Sequence, residues 1–215
     1  MKHTVLFDLD GTLLDTLQDL QESLNTVLAA YHQPQRTRDE VRCFVGNGLP
    51  KLVERALEEG AAHPQYDEIL LDVRRQYSKN SRNHTKPYDG IIPLLQCLHQ
   101  KNVRLGVVSN KPDAEVKRLC EHFFSPWIQV AIGAIPERPH KPAPDAVLLA
   151  MEQLNSTHDN TIYIGDSEVD VLTAANAKIA CCCVLWGFRD RSVLESHGAS
   201  AFAESPEKLL SFLMN

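Results

Sequence analysis

Short apolar runs alternate along the chain with longer stretches of helical periodicity. Residues 4–7, 103–108, 128–132, 161–164 and 180–185 read as strands, the third weaker than the others. Residues 91–100, 113–122 and 145–154 carry the spacing of amphipathic helices. Near-continuous apolar strands separated by helices predict an α/β fold, a Rossmann-like, doubly wound parallel sheet covered on both faces. In such sheets ligands sit at the carboxyl ends of the strands. The first interval breaks the rhythm. About ninety residues separate the first two strands, far more than a crossover needs, and most of them read as helix, over 14–31, 49–60 and 66–78. The pattern predicts a small α-helical domain inserted at 16–83 into an α/β core formed by 1–15 and 84–215. Gly46-Asn47-Gly48 is a tight turn within the insertion.

Composition narrows the classes. Hydrophobic residues make up 43% and charged residues 23% of the chain, as in ordinary globular proteins. The net charge of −6 includes no basic run, which argues against nucleic-acid binding; an anionic substrate would need a local positive site to overcome that field. Cys43, Cys97, Cys120 and the consecutive Cys181, Cys182 and Cys183 form neither a disulfide framework nor a C-x-x-C metal pair, and read as reduced thiols of a cytoplasmic protein. The histidines lack paired spacing for zinc. The apolar start is too short, and too soon charged, for a signal peptide, and no stretch approaches a membrane span.

The candidate chemistry lies at strand ends. The first strand runs into Asp8-Leu9-Asp10-Gly11-Thr12, whose two acids would share a face of an extended segment and need a cation or a proton between them. An ordinary solvated polar turn is the competing reading of this segment taken alone. The fourth strand ends in Gly165-Asp166-Ser167-Glu168-Val169-Asp170; Asp166 and Asp170 would share one side of a helix, or Asp166 would be its N-cap. Acids at the ends of two parallel strands converge on one edge, where oxygen ligands suit Mg²⁺. The second strand ends in Ser109-Asn110-Lys111, a hydroxyl and backbone N–H groups able to hold a phosphate or to make a turn. In His140-Lys141-Pro142-Ala143-Pro144-Asp145, the prolines restrict the backbone around a lysine.

Together, Asp8-x-Asp10-Gly11-Thr12, Ser109-Asn110, Lys141 and Gly165-Asp166-x₃-Asp170 resemble, in order and spacing, the four motifs of the haloacid dehalogenase superfamily, over essentially the whole chain. The resemblance implies a Mg²⁺-dependent phosphatase with Asp8 as nucleophile, forming an aspartyl-phosphate, and Asp10 as general acid and then base. It implies Mg²⁺ on the side chains of Asp8 and Asp166 and the backbone carbonyl of Asp10, with Asp170 supporting the metal. Thr12, Ser109, Asn110 and the backbone beside Lys111 would bind phosphate, and Lys141 would neutralise phosphate and nucleophile. Asp10 separates this pattern from the dehalogenase branch, where the second acid is absent. The inserted helices resemble the superfamily's small cap, which closes over the site.

Val45-Gly46-Asn47-Gly48, Ser109-Asn110-Lys111-Pro112, Lys141-Pro142-Ala143-Pro144-Asp145 and Trp186-Gly187-Phe188 are most similar to the phosphoglycolate phosphatase group. That likeness implies a small phosphorylated metabolite as substrate, with Gly46, Asn47 and Gly48 facing it from the cap. Lys51 and Arg55 could meet a substrate carboxylate, although a solvated helix face explains them more simply. Pyrophosphatases and sugar-phosphate phosphatases share much of the framework, and a hexose-phosphate mutase would reuse the aspartyl-phosphate. A signalling receiver module is shorter, with its phosphorylated acid in mid-sequence; an inactive binding protein would not keep every motif acid. A monomer and a homodimer fit equally well.

Overall fold

The protein was analysed as a computed structural model that describes residues 3–214. The chain divides into two compact units, one of residues 1–14 and 87–215, the other of residues 15–86.

The first unit begins with β1 (Thr4–Phe7). The chain then enters the second unit through β2 (Leu14–Asp15), followed by α1 (Leu17–Ala30), α2 (Arg38–Phe44), α3 (Leu49–Ala56) and α4 (Tyr66–Asn80), and leaves by β3 (Lys86–Pro87). The first unit resumes with α5 (Ile91–Gln100), β4 (Arg104–Pro112), α6 (Asp113–Phe124), β5 (Val130–Ala134), α7 (Asp145–Gln153), β6 (Thr161–Gly165), α8 (Glu168–Asn176), β7 (Ala180–Val184), α9 (Arg191–Ser196), β8 (Phe202–Ala203) and α10 (Pro206–Met214).

The sheet of the first unit has six strands in the order β5-β4-β1-β6-β7-β8, all paired parallel. The order reverses around β1, whose neighbours are β4 and β6. A carboxyl group leaving the top of β1 is therefore flanked by the tops of two strands from distant parts of the sequence. All four residues of β1 are buried. Val5 and Phe7 join a cluster with residues of α5, α6 and α10, and Leu6 joins another with Ala146, Val147, Ala150 and Met151 of α7. This alternation is the period-2 pattern of a strand buried on both faces, as the apolar runs predict. The three consecutive cysteines lie in β7, with Cys182 and Cys183 buried; burial pushes the Cys182 thiol up to about 12, so it packs as a small apolar group. No cysteine is in a disulfide among the described residues.

The structure redraws several element boundaries. β4 continues to Pro112, so Ser109-Asn110-Lys111 belongs to the strand itself. The weak third strand lies at Val130–Ala134, slightly beyond the predicted run. Helix α1 starts only at Leu17: Thr16 occupies its N-cap position without a side-chain cap bond, and Asp15 Oδ1 accepts the Leu17 N–H at 3.3 Å.

In the helical unit, Leu17, Leu20, Leu24, Val27 and Leu28 of α1 are buried at helical spacing, as are Ile69, Val73 and Tyr77 of α4. Helix α2 starts with a capping box, Thr37 and Glu40 exchanging bonds with each other's backbone. Arg55 donates to the Phe44 carbonyl at 2.8 Å and to Asn47 Oδ1 at 3.0 Å, fixing the 46–48 turn, while Lys51 pairs with Glu54. Asp19, buried within α1, accepts the N–H groups of His84 and Thr85 and the Thr85 hydroxyl, and so ties the returning chain to that helix. Among the described residues no helix is long and apolar enough to cross a membrane.

Candidate active site

Asp8 follows β1 directly, and its N–H prolongs the ladder onto the Ile164 carbonyl of β6 at 2.8 Å. The chain then turns back: the N–H groups of Leu13 and Leu14 both reach the Leu9 carbonyl at 3.0 Å, with Leu9 and Leu13 fully buried as anchors. Gly11 lies in this turn at φ 83°, and a Cβ there would stand 2.3 Å from Asp166 Oδ2. A side chain at Gly11 is therefore excluded by backbone conformation and by contact.

Asp166, at the end of β6, is held on both oxygens. Oδ1 accepts the Thr12 hydroxyl and Oδ2 the Phe188 N–H, each at 2.8 Å. The indole N–H of Trp186 reaches the Thr12 carbonyl at 3.0 Å, tying the loop after β7 to the loop after β1. Ser167, not Asp166, is the N-cap of α8. Asp170, at the third helical position, takes the N–H groups of Asp166 and Ser167 and the Ser167 hydroxyl on Oδ2.

Lys141 is the buried cation of this cluster. Its Nζ lies 2.7 Å from Asp170 Oδ1, 2.9 Å from the Tyr163 hydroxyl and 3.0 Å from Asp8 Oδ1. Tyr163 in turn donates to the Val108 carbonyl at 2.6 Å, which leaves its oxygen as acceptor for the ammonium. The backbone of Lys141 is clamped by Asn110, whose Oδ1 takes the Lys141 N–H at 2.8 Å and whose Nδ2 reaches the Lys141 carbonyl at 3.0 Å. Burial opposes the charge on Lys141, but the carboxylates of Asp170 and Asp8 outweigh it and raise its ammonium well above the ordinary lysine range.

A second ammonium lies at the top of β4. Lys111, also buried, forks onto both oxygens of Asp10 at 2.8 and 2.9 Å. Asp10, of intermediate exposure, is thus held by the strand next to its own.

Asp8, Asp10, Ser109, Asn110, Lys111, Lys141, Asp166 and Asp170 thus gather at the carboxyl ends of β1, β4 and β6 and the loop before α7. Two residues expected to bind phosphate are tied to the other site residues. The amide of Asn110 and the hydroxyl of Thr12 both bond within the protein, to Lys141 and Asp166. Ser109 Oγ is 3.4 Å from the Lys111 N–H. Gly46, Asn47 and Gly48 belong to the helical unit. The Lys111 side chain, Tyr163 and the Phe188 N–H were not found by sequence reasoning. Lys111 stood within a recognised motif, but a lysine that pairs with an acid a hundred residues away leaves no local signal.

The acids outnumber the cations. Four carboxylates (Asp8, Asp10, Asp166 and Asp170) face two ammoniums (Lys111 and Lys141), an excess equal to the charge of one divalent ion. Asp8 Oδ1 is buried without a hydrogen-bond donor, since Lys141 meets it outside hydrogen-bonding geometry. Burial, with Asp170 and Asp10 adding repulsion against the pull of Lys141, raises the Asp8 carboxyl to about 6. Asp166 is likewise raised well above the carboxylate range, by burial first and then by Asp170 and Asp8. Oxygens of Asp8, Asp166 and Asp170 lie within 4.8 Å of one another. A hard divalent cation fits this all-oxygen, electron-rich cluster. Asp170 is the least suited to ligate it directly, because its Oδ1 is paired with the Lys141 ammonium and its Oδ2 accepts three donors, whereas each oxygen of Asp166 accepts one.

Comparison with known proteins places this arrangement. Residues 5–184 match the family model of the haloacid dehalogenase-like hydrolases. A phosphoglycolate phosphatase of Pseudomonas syringae pv. tomato is 31% identical over 214 residues, covering 96% of this chain and 75% of that protein. The plasmid-borne phosphoglycolate phosphatase of Cupriavidus necator is 32% identical over 212 residues, covering 97% and 92%. A crystal structure from Lactobacillus delbrueckii subsp. bulgaricus, described as that of a candidate phosphoglycolate phosphatase, superposes with a TM-score of 0.95 at 32% identity and 99% coverage of both chains. The chain belongs to the haloacid dehalogenase-like hydrolase family, close to the phosphoglycolate phosphatases and thus among its phosphoric monoester hydrolases.

Proposed function

We propose that this protein is a Mg²⁺-dependent phosphatase that hydrolyses a small phosphomonoester through an aspartyl-phosphate on Asp8, with 2-phosphoglycolate as its first candidate substrate. The observation that carries the reading is the bare, buried Oδ1 of Asp8 beside Lys141. No hydrogen bond within the protein ties this oxygen down, and the ammonium beside it is a charge that a phosphoryl group could share. The names of the relatives supply the substrate candidate.

In the first step a carboxylate oxygen of Asp8 attacks phosphorus and the bond to the leaving oxygen breaks, while a proton passes from Asp10 to that oxygen. In the second, Asp10 takes a proton from water as it attacks phosphorus, and the bond to Asp8 breaks to release inorganic phosphate. Lys141, locked by Tyr163, Asp170 and Asn110, faces the charge that builds between nucleophile and phosphoryl oxygens at no cost in reorganisation. Thr12 and Phe188 keep Asp166 turned into the site. Asp8 and Asp166, with the Asp10 carbonyl, would hold Mg²⁺, which when bound supplies positive charge to the phosphoryl group. The backbone of the Ser109–Lys111 segment is the proposed phosphate cradle. The unit built from α1 to α4 is the proposed cap, and Gly46, Asn47 and Gly48 its proposed substrate-facing turn.

The test is phosphate release from a panel of phosphorylated metabolites that includes 2-phosphoglycolate, pyrophosphate and hexose phosphates, with Mg²⁺ and with chelator. Asp8→Asn and chelation are each expected to lower turnover by at least ~10³-fold. Turnover retained in Asp8→Asn would remove Asp8 as nucleophile; isomer formation without phosphate release would make the enzyme a mutase.

A further inference from the structure

The Lys111 side chain has no part in the reaction as set out above, yet it makes the tightest two-point contact with any of the reacting groups. Its Nζ lies 2.8 Å from Asp10 Oδ1 and 2.9 Å from Oδ2, and the Lys111 side chain is 3% exposed against 14% for that of Asp10. A lysine stem loses considerable rotamer freedom when ordered, and its head group loses hydration when buried, so such burial needs a specific compensation. The compensation visible here is Asp10. The backbone beneath both groups is set independently: Asp10 by the turn closed on the Leu9 carbonyl and by the bridge between Asp10 and Leu14, Lys111 by the continuation of β4 to Pro112. Lys141 already serves Asp8 and Asp170. The two buried lysines thus divide the acids between them, one facing the attacking carboxylate and the other the second acid.

We propose that Lys111 is the positioning residue for Asp10, holding that carboxylate where it can exchange a proton with the leaving oxygen, and compensating the charge left on it. The inference rests on the function proposed above and adds a residue to it. When the phosphorus–oxygen bond of the substrate breaks, the proton of Asp10 moves to the departing oxygen and a carboxylate remains, which the Lys111 ammonium stabilises through two direct hydrogen bonds. Water later returns a proton to Asp10 as the bond from phosphorus to Asp8 breaks, so no proton is gained or lost over the cycle beyond those of ordinary ester hydrolysis. Lys111 itself transfers nothing and need not touch the substrate.

The reading makes a demand that a merely structural lysine does not. An alkyl phosphate leaves as a poor alkoxide and needs a proton, whereas p-nitrophenyl phosphate leaves as a stabilised phenolate and needs almost none. Because kcat/KM reports steps up to the first irreversible one, it isolates formation of the phosphoenzyme from its hydrolysis. Lys111→Met keeps the apolar stem and removes the charge. It is expected to lower kcat/KM for 2-phosphoglycolate about 100-fold while lowering that for p-nitrophenyl phosphate less than about threefold. In an Asp10→Asn background the same substitution should leave the ratio between the two substrates unchanged, since the group it acts through is gone. An equal fall on both substrates, or a further change of the ratio in the Asp10→Asn background, would overturn the proposal. Should Lys111→Met not fold, Lys111→Gln gives the same comparison with a polar head group. If the wild-type protein with Mg²⁺ hydrolyses neither ester, the proposed function itself falls, and that outcome is distinct from an active wild type whose variant shows no leaving-group selectivity.

Discussion

At the scale of single residues, the site is governed by carboxyl groups that the fold makes reluctant to ionise. The Asp8 carboxyl, with an ordinary value of 3.8, is raised to about 6, chiefly by burial. Between those values the folded protein keeps a proton that the unfolded chain has lost. The contribution of this group to stability is therefore full below about pH 4 and is lost as pH rises through 6. A divalent ion needs the carboxylate, so it competes with that proton. Thermal melts with and without 10 mM Mg²⁺ are expected to show stabilisation of several degrees at pH 7.5 and at most about half of it at pH 5. Equal shifts at both values would show that Asp8 is not a ligand. Gly11 offers an independent check. Gly11→Ala would place a methyl group 2.3 Å from Asp166 Oδ2 at a φ of 83°, so Asp166 must move away from Thr12 and Phe188. The expected result is a loss of about 2 kcal/mol or more in chemical denaturation, with the Mg²⁺-induced stabilisation abolished. A variant that still responds fully to Mg²⁺ would mean that Asp166 is free to adjust.

At the scale of elements, the helical unit is tied at its closing end by one side chain. Asp19 is 1% exposed and receives three donors from His84 and Thr85. Asp19→Ala would leave the Thr85 N–H and hydroxyl buried without an acceptor and is expected to cost about 2–4 kcal/mol of stability. Asp19→Asn, which keeps one acceptor, should cost less; an Ala variant that melts with the wild type would reduce this contact to a surface bond. This tie also marks where reading the sequence stopped. β1 and β6 and the helices α5, α6 and α7 were legible because their apolar periods are undiluted by function. α1 was read three residues too early because Leu14 continues its apolar spacing, and β4 was cut short at Val108 because Ser109-Asn110-Lys111 is polar. Asn110 and Lys111 stay in the strand because each is buried with a partner on another segment, which no local pattern reports. Asp19 looks like any acid in the first turn of a helix, where it would ordinarily interact with the helix dipole.

At the scale of the whole molecule, the same contrast separates what motifs reveal from what tertiary structure adds. The acids Asp8, Asp10, Asp166 and Asp170 could be named from their positions at strand ends, because a parallel sheet gathers such ends on one edge. The groups that hold the site (Lys111 on Asp10, the Phe188 N–H on Asp166, and Tyr163 and Asn110 on Lys141) are separated from their partners in sequence, and the sheet order β5-β4-β1-β6-β7-β8 brings them together. One further consequence can be measured over the full chain. Every residue assigned to the ion lies in the unit of residues 1–14 and 87–215, and the helices of residues 15–86 bury their own apolar residues and make their own tie through Asp19. Amide protection follows local opening, and a ligand deepens protection in the cooperative region that holds it. Hydrogen exchange of the intact protein is therefore expected to slow on addition of Mg²⁺ in peptides covering residues 8–14, 163–170 and 183–188, by about tenfold where exchange occurs through opening of the site. Peptides within α1 to α4 should change less than about twofold. Uniform slowing across both units would show that they open as a single cooperative body, and slowing confined to α1 to α4 would place the ion on the wrong residues.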